Sequence, residues 1–137
     1  MGRILAIDYG LKRTGLAVTD PLRIIATSLE TVETSNLITF LTSYFQKEQV
    51  DEVVIGMPKR LNNEDSEIAP QVRKFIDQFK TTFAAKPIFQ ADERFTSAMA
   101  QQAMIDGGMK KKDRQVKGNV DKISATLILQ SYLETRR

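Results

Sequence analysis

Neither cysteine nor histidine occurs among the 137 residues of this chain. Without cysteine there can be no disulfide, no thiolate nucleophile and no cysteine-ligated zinc. Without histidine the commonest acid-base group near neutral pH and the commonest nitrogen ligand for metals are also gone. Any metal this chain holds must therefore sit on oxygen, which suits hard ions such as Mg²⁺, or Mn²⁺ behaving similarly. Long apolar runs are missing too, and no signal-peptide pattern follows Met1, so the expectation is a cytoplasmic protein without a membrane partner. Charge of one sign is scarce: 20 Lys and Arg stand against 17 Asp and Glu, a net +3. So mild an excess makes the placement of the cations more informative than their sum.

What is present fits one domain spanning residues 1–137, large enough for a real core and too short for two nucleotide-gripping lobes. Ile4 to Ile7 form an apolar run that ends on Asp8. Gly10 and Gly15 bracket a basic turn carrying Lys12 and Arg13, and Leu16 to Val18 read as a returning strand. A third, antiparallel strand is expected over Arg23 to Val32. Ser35 then caps a helix with apolar positions Leu37, Ile38, Leu41, Tyr44 and Phe45, ending near Glu48. Val50 to Gly56, with Val53, Val54 and Ile55 consecutive, reads as a strand buried on both faces, and Gly56-Met57-Pro58 turns the chain out of the sheet. A polar loop from Lys59 to Ser66 precedes an amphipathic helix marked by Ile68, Val72, Phe75, Ile76, Phe79 and Phe83.

Pro87 to Ala91 supply a fifth strand with Asp92-Glu93-Arg94 at its end. Thr96 opens a helix that Gly107-Gly108 stop, a basic loop runs from Met109 to Gly118, and Asn119 caps a last helix from Val120 to about Leu133. Three antiparallel strands followed by two crossover-linked parallel ones predict an α/β fold, a mixed five-stranded sheet with helices on both faces, which is the ribonuclease H-like topology.

Four acidic residues share a place in this scheme. Asp8 ends the first strand, Asp92 and Glu93 end the fifth, and Asp121 lies in the first turn of the last helix, on a stripe with Ser124, Ala125 and Ile128. Sites in α/β folds form at the carboxyl ends of parallel strands. By itself Asp8 reads first as a turn initiator, and Asp121 can be read as a helix-dipole partner. A protein-facing carboxylate is costly without a compensating cation, however. Clustered carboxylates without histidine either form a glycosidase-like pair or hold divalent metals for phosphodiester hydrolysis. The cations favour the second: Lys12, Arg13, Lys59, Arg60, Arg94, Lys110, Lys111, Lys112, Arg114 and Lys117 gather at the expected mouth, as a phosphate polymer requires.

Asp8-Tyr9-Gly10 with Gly15-Leu16-Ala17, the Ile55-Gly56-Met57-Pro58 segment, Asp92-Glu93-Arg94 before Thr96, and Lys117-Gly118 with Val120 to Ala125 form an ordered motif series. Over nearly its whole length the chain resembles the YqgF family, also called RuvX or Holliday junction resolvase-like proteins. Asn63 departs from it, standing where a glycine is expected. The resemblance implies a ribonuclease H-like fold and a metal-dependent endonuclease that matures the 5′ end of the small-subunit ribosomal RNA precursor, with the ribosome as a further partner. It places Asp8, Asp92, Glu93 and Asp121 on the family's acidic positions.

The expected chemistry is phosphodiester hydrolysis by metal-activated water. Asp8 would be the central ligand, Asp121 a second, and Glu93 in preference to Asp92 a third, with two ions about 4 Å apart. Gly10, Gly15 and Gly56 are read as turn residues. Three rivals keep parts of this scheme: a resolvase of branched DNA, which needs a two-fold dimer where the present expectation is a monomer or weak homodimer; an actin-like ATP site, for which one lobe is missing; and a non-catalytic RNA-binding assembly factor.

Overall fold

The computed structural model describes residues 2–57, 68–92 and 117–135. Five strands form one sheet: β1 (Arg3–Asp8), β2 (Arg13–Thr19), β3 (Ala26–Glu33), β4 (Val50–Met57) and β5 (Ile88–Asp92), in the order β3-β2-β1-β4-β5. The first three are antiparallel neighbours, whereas β4 and β5 run parallel to β1. Three helices complete the described chain: α1 (Leu37–Lys47), α2 (Ala69–Thr82) and α3 (Lys117–Thr135). The expected mixed sheet, its strand order and its two covered faces are those observed.

Side-chain size differs sharply between the two faces. Leu5, Ile7, Leu16, Val18, Val53, Ile55 and Met57 point to one side and pack with α1 and α2 through Leu37, Leu41, Val72, Phe75, Ile76 and Phe79. On the other side Ile4, Ala6, Ala17 and Val54 meet Ala125, Ile128, Leu129 and Leu133 of α3. Two alanines at the centre of that second face let a helix carrying Ser124 and Ala125 lie close to the sheet, which close packing rewards. A strand alternating between such faces reads as continuous apolar sequence, as a doubly covered parallel strand must.

Several boundaries differ from expectation for identifiable reasons. Gly15 and Gly56 are not turn residues: Gly15 lies inside β2 opposite Asp8 and Thr31, and Gly56 lies inside β4 opposite Ala91. The β1–β2 turn is shorter than the glycine spacing suggests, because Arg13 and Thr14 already pair with Glu33 and Val32. β3 begins at Ala26, because Arg23 is held in a left-handed conformation (φ 60°) by the turn before it. Ser35 is not a cap; it sits in a 3-10 turn, Thr34–Asn36, and α1 follows Asn36 with no side-chain cap bond.

α3 begins at Lys117, so Gly118 and Asn119 are helical, Lys117 is not in a loop, and Asp121 stands beyond the first residues of the helix. The helical penalty of Gly118, about 1 kcal/mol, is small beside the burial of the α3 stripe. The expected Lys59 to Ser66 loop and the helix from Thr96 lie outside the described residues. Among the described residues, no helix is long and apolar enough to cross a membrane.

Candidate active site

Asp8 is the last residue of β1 and is half-buried. Ile4 and Ala6 belong to the α3-side cluster while Leu5 and Ile7 belong to the other, so alternation places Asp8 on the α3 face. Its lateral neighbours on that face are glycines. Gly15 is its cross-strand partner in β2, and Gly56 follows Ile55, the β4 partner of Ile7. Neither strand position flanking Asp8 therefore carries a side chain.

The β1–β2 turn beside it is braced. Gly10 O accepts a 2.6 Å hydrogen bond from Thr34 Oγ1, Lys12 O accepts one of 2.9 Å from Thr34 N–H, and Thr14 Oγ1 lies 2.9 Å from Thr34 Oγ1. A Cβ on Gly10 would run into the carbonyl oxygen of Arg13. Tyr9 is anchored on the opposite face against Phe75, their ring centroids 5.2 Å apart. Lys12 is exposed at the turn, and Arg13, half-buried, shares a β2 face with Gly15 and Ala17. Leu11, Lys12, Arg13, Glu33 and Ser35 line a groove alongside. The bracing role of Thr34 and Thr14 was missed in the sequence; a threonine two dozen residues away carries no local signal of it.

α3 runs antiparallel to β1. Near its C-terminal end, Gln130, Leu133 and Glu134 line a groove with Ile24, Ile25 and Ala26. Ala26 pairs with Thr19, whose Oγ1 accepts from Ile4 N–H at 2.9 Å, so that groove marks the N-terminal end of β1. The nine helical steps from Leu133 back to Ser124 span about 13 Å, as do the four strand steps from Ile4 to Asp8. The N-terminal half of α3, with the backbone of Asp121, is thus delivered to the edge where Asp8 stands. Ser124, 1% exposed, faces the sheet there, and its Oγ is buried without a hydrogen-bond partner.

The fifth strand ends at the same edge. Asp92 is the β5 partner of Met57, and Ala91 that of Gly56. Two strand spacings separate the backbones of Asp8 and Asp92, about 10 Å. For Asp92, Lys117 and Asp121 the backbone alone is described. Glu93, Arg94, Lys59, Arg60, Lys110, Lys111, Lys112 and Arg114 lie outside the described residues. Among the described residues, no three carboxylates gather at metal-binding distance.

A family model described as RuvX, Holliday junction resolvase, matches residues 2–135. A protein of Phocaeicola vulgatus named "Putative pre-16S rRNA nuclease" is 54% identical over 137 residues, covering 100% of this chain and 99% of its own. Among solved structures, the chain is similar to Thermus thermophilus RuvC in complex with a Holliday junction substrate, with a TM-score of 0.61, 18% identity, and 99% and 96% of the two chains covered. Fowlpox virus resolvase in complex with Holliday junction DNA matches with a TM-score of 0.61 at 14% identity, covering 98% of each chain. At those identities the two structures establish a shared resolvase-type, ribonuclease H-like fold.

Proposed function

The chain belongs to the RuvX family of Holliday junction resolvase-like nucleases, and from that membership we propose that it is a divalent-metal-dependent endonuclease that trims the precursor of 16S ribosomal RNA at its 5′ end. The reaction class is hydrolysis: a water oxygen bonds to phosphorus as the ester P–O bond breaks. The observation that carries this reading is the convergence on one sheet edge of Asp8, the end of β5 and the N-terminal half of α3.

The residues present suit a hard divalent ion such as Mg²⁺ or Mn²⁺. The donors are all oxygen, glycines flank the carboxylate of Asp8 on both sides, and a buried hydroxyl without a partner faces the same side of the sheet. Asp8, Glu93 and Asp121 would hold the ions, which when bound lower the pKa of water and neutralise charge at the phosphate. The third ligand is taken to be Glu93 rather than Asp92.

The cations of the chain bind the polymer. Lys12 and Arg13 take backbone phosphates next to Asp8, and Lys59, Arg60, Arg94, Lys110, Lys111, Lys112, Arg114 and Lys117 extend that contact without reading bases. A ribosomal RNA precursor as substrate makes the nascent small subunit the partner and the cytoplasm the place of action.

The test incubates wild type and Asp8→Asn with precursor ribosomal RNA and, in parallel, with four-way DNA junctions, with and without Mg²⁺ or Mn²⁺. Wild type should cut the RNA only with metal. Asp8→Asn should lose at least about 100-fold in rate, since even outer-shell partners of metal ligands cost 10–100-fold, while still binding RNA. Full activity of Asp8→Asn would refute the site; paired cuts in the junction alone would reassign the substrate to branched DNA.

A further inference from the structure

Buried hydroxyls seldom go without a partner, and a serine within a helix ordinarily satisfies itself on the carbonyl one turn back. Ser124 Oγ does neither: it is enclosed between α3 and the sheet with no hydrogen bond. Its neighbours along the helix stripe, Ala125 and Ile128, are buried in an apolar cluster with Ala6, Ala17 and Val54. An alanine at position 124 would serve that packing as well and would leave no hydroxyl to desolvate.

The place of Ser124 is not neutral. The orientation of α3 carries it to the level of Asp8, on the sheet face that Asp8 takes by strand alternation. It stands one helical turn after Asp121. A buried hydroxyl with no protein partner, on the face that carries Asp8, is suited to a guest that brings its own hydrogen-bonding groups. Hydrated divalent cations do so, because Mg²⁺ and ions like it retain several waters when bound by one or two carboxylates.

We propose that Ser124 is a positioning residue of the active site, whose hydroxyl hydrogen-bonds a water of the hydrated divalent cation held by Asp8. This rests on the metal-dependent reading above and adds to it a residue that carries no charge. The fold thus carries the desolvation of a hydroxyl in the metal-free protein in return for orienting the cation's hydration shell, as outer-shell groups orient metal sites elsewhere.

The test measures Mn²⁺ binding by electron paramagnetic resonance, and melting temperature with and without Mn²⁺, for wild type, Ser124→Ala, Asp8→Asn and Ala125→Gly. Ser124→Ala should melt at or above wild type when metal-free, and should weaken Mn²⁺ binding roughly five- to tenfold, the loss of one hydrogen bond. Asp8→Asn should abolish binding. Ala125→Gly, which loosens the same helix without touching a hydroxyl, should lower the metal-free melting temperature and leave Mn²⁺ affinity unchanged. If Ser124→Ala binds Mn²⁺ as wild type does while Asp8→Asn does not bind, the role of Ser124 is refuted and the carboxylate site stands. If neither wild type nor any variant binds Mn²⁺, or if Asp8→Asn binds as wild type does, both are refuted.

Discussion

Asp51 ties three parts of the chain together through one carboxylate. It accepts from Gly2 N–H at 2.7 Å, from Arg23 Nη2 at 2.8 Å and from Gln49 Nε2 at 3.1 Å. Arg23 Nε in turn donates to Gly2 O at 2.9 Å. The Gly2 amide, followed by Gln49 and Arg23, keeps the Asp51 carboxyl below its ordinary value of 3.8. Asp20 is lowered likewise, by the backbone N–H of Ile25 first and those of Ile24 and Leu22 after it. A depressed folded-state pKa means that the unfolded chain takes up the proton first as pH falls. The contribution of Asp51 is therefore complete above 3.8 and is lost as pH drops through the lower folded value. Melting curves from about pH 6 to pH 2 should show wild type above Asp51→Asn at the upper end and the two converging below 3.8; a gap that persists at the acid end would contradict this.

At the scale of elements, the β1–β2 turn decides where Asp8 stands. Thr34 grips the turn through two backbone groups, and Gly10 is needed because a Cβ would meet the Arg13 carbonyl. Gly10→Ala is accordingly expected to destabilise the protein by about 1–3 kcal/mol, the usual cost of forcing atoms into filled space, measured by urea unfolding. Cleavage should fall as well, since the turn carries both Lys12 and the end of β1. The strands and helices around this turn were legible because their apolar periodicity is local: Val53-Val54-Ile55 and the Val72, Phe75, Ile76, Phe79 stripe need no partner to be read. Gly15 and Gly56 were misread as turns because glycine is a turn residue in any local window. Their role depends on which residue lies across the sheet, Asp8 in one case and Ala91 in the other. The start of α3 was likewise misjudged, since Gly118 and Asn119 look like a boundary until the packing of Ala125, Ile128 and Leu129 is known.

For the whole molecule, a net charge of only +3 means that affinity for a polyanion depends on where cations stand. Each phosphate contact releases counterions, so binding should weaken steeply with salt. Lys12→Ala is expected to weaken binding to all RNA sequences alike and to reduce the slope of log affinity against log salt by about 1. Filter binding or fluorescence anisotropy at several salt concentrations would read this, and a slope identical to wild type would remove Lys12 from the contact.

Composition alone, without cysteine or histidine, restricted any bound metal to oxygen ligands, and the order of its apolar runs already implied the mixed sheet. Both are properties of residue type and of short-range periodicity, which survive without a folded partner. The surroundings of Asp8 were decided only in three dimensions. Two glycines remote from each other in sequence come to flank it through strand register, and α3 brings a buried, unpartnered Ser124 over the same face. Register and helix placement are set by packing between distant segments, and no local window of sequence records them.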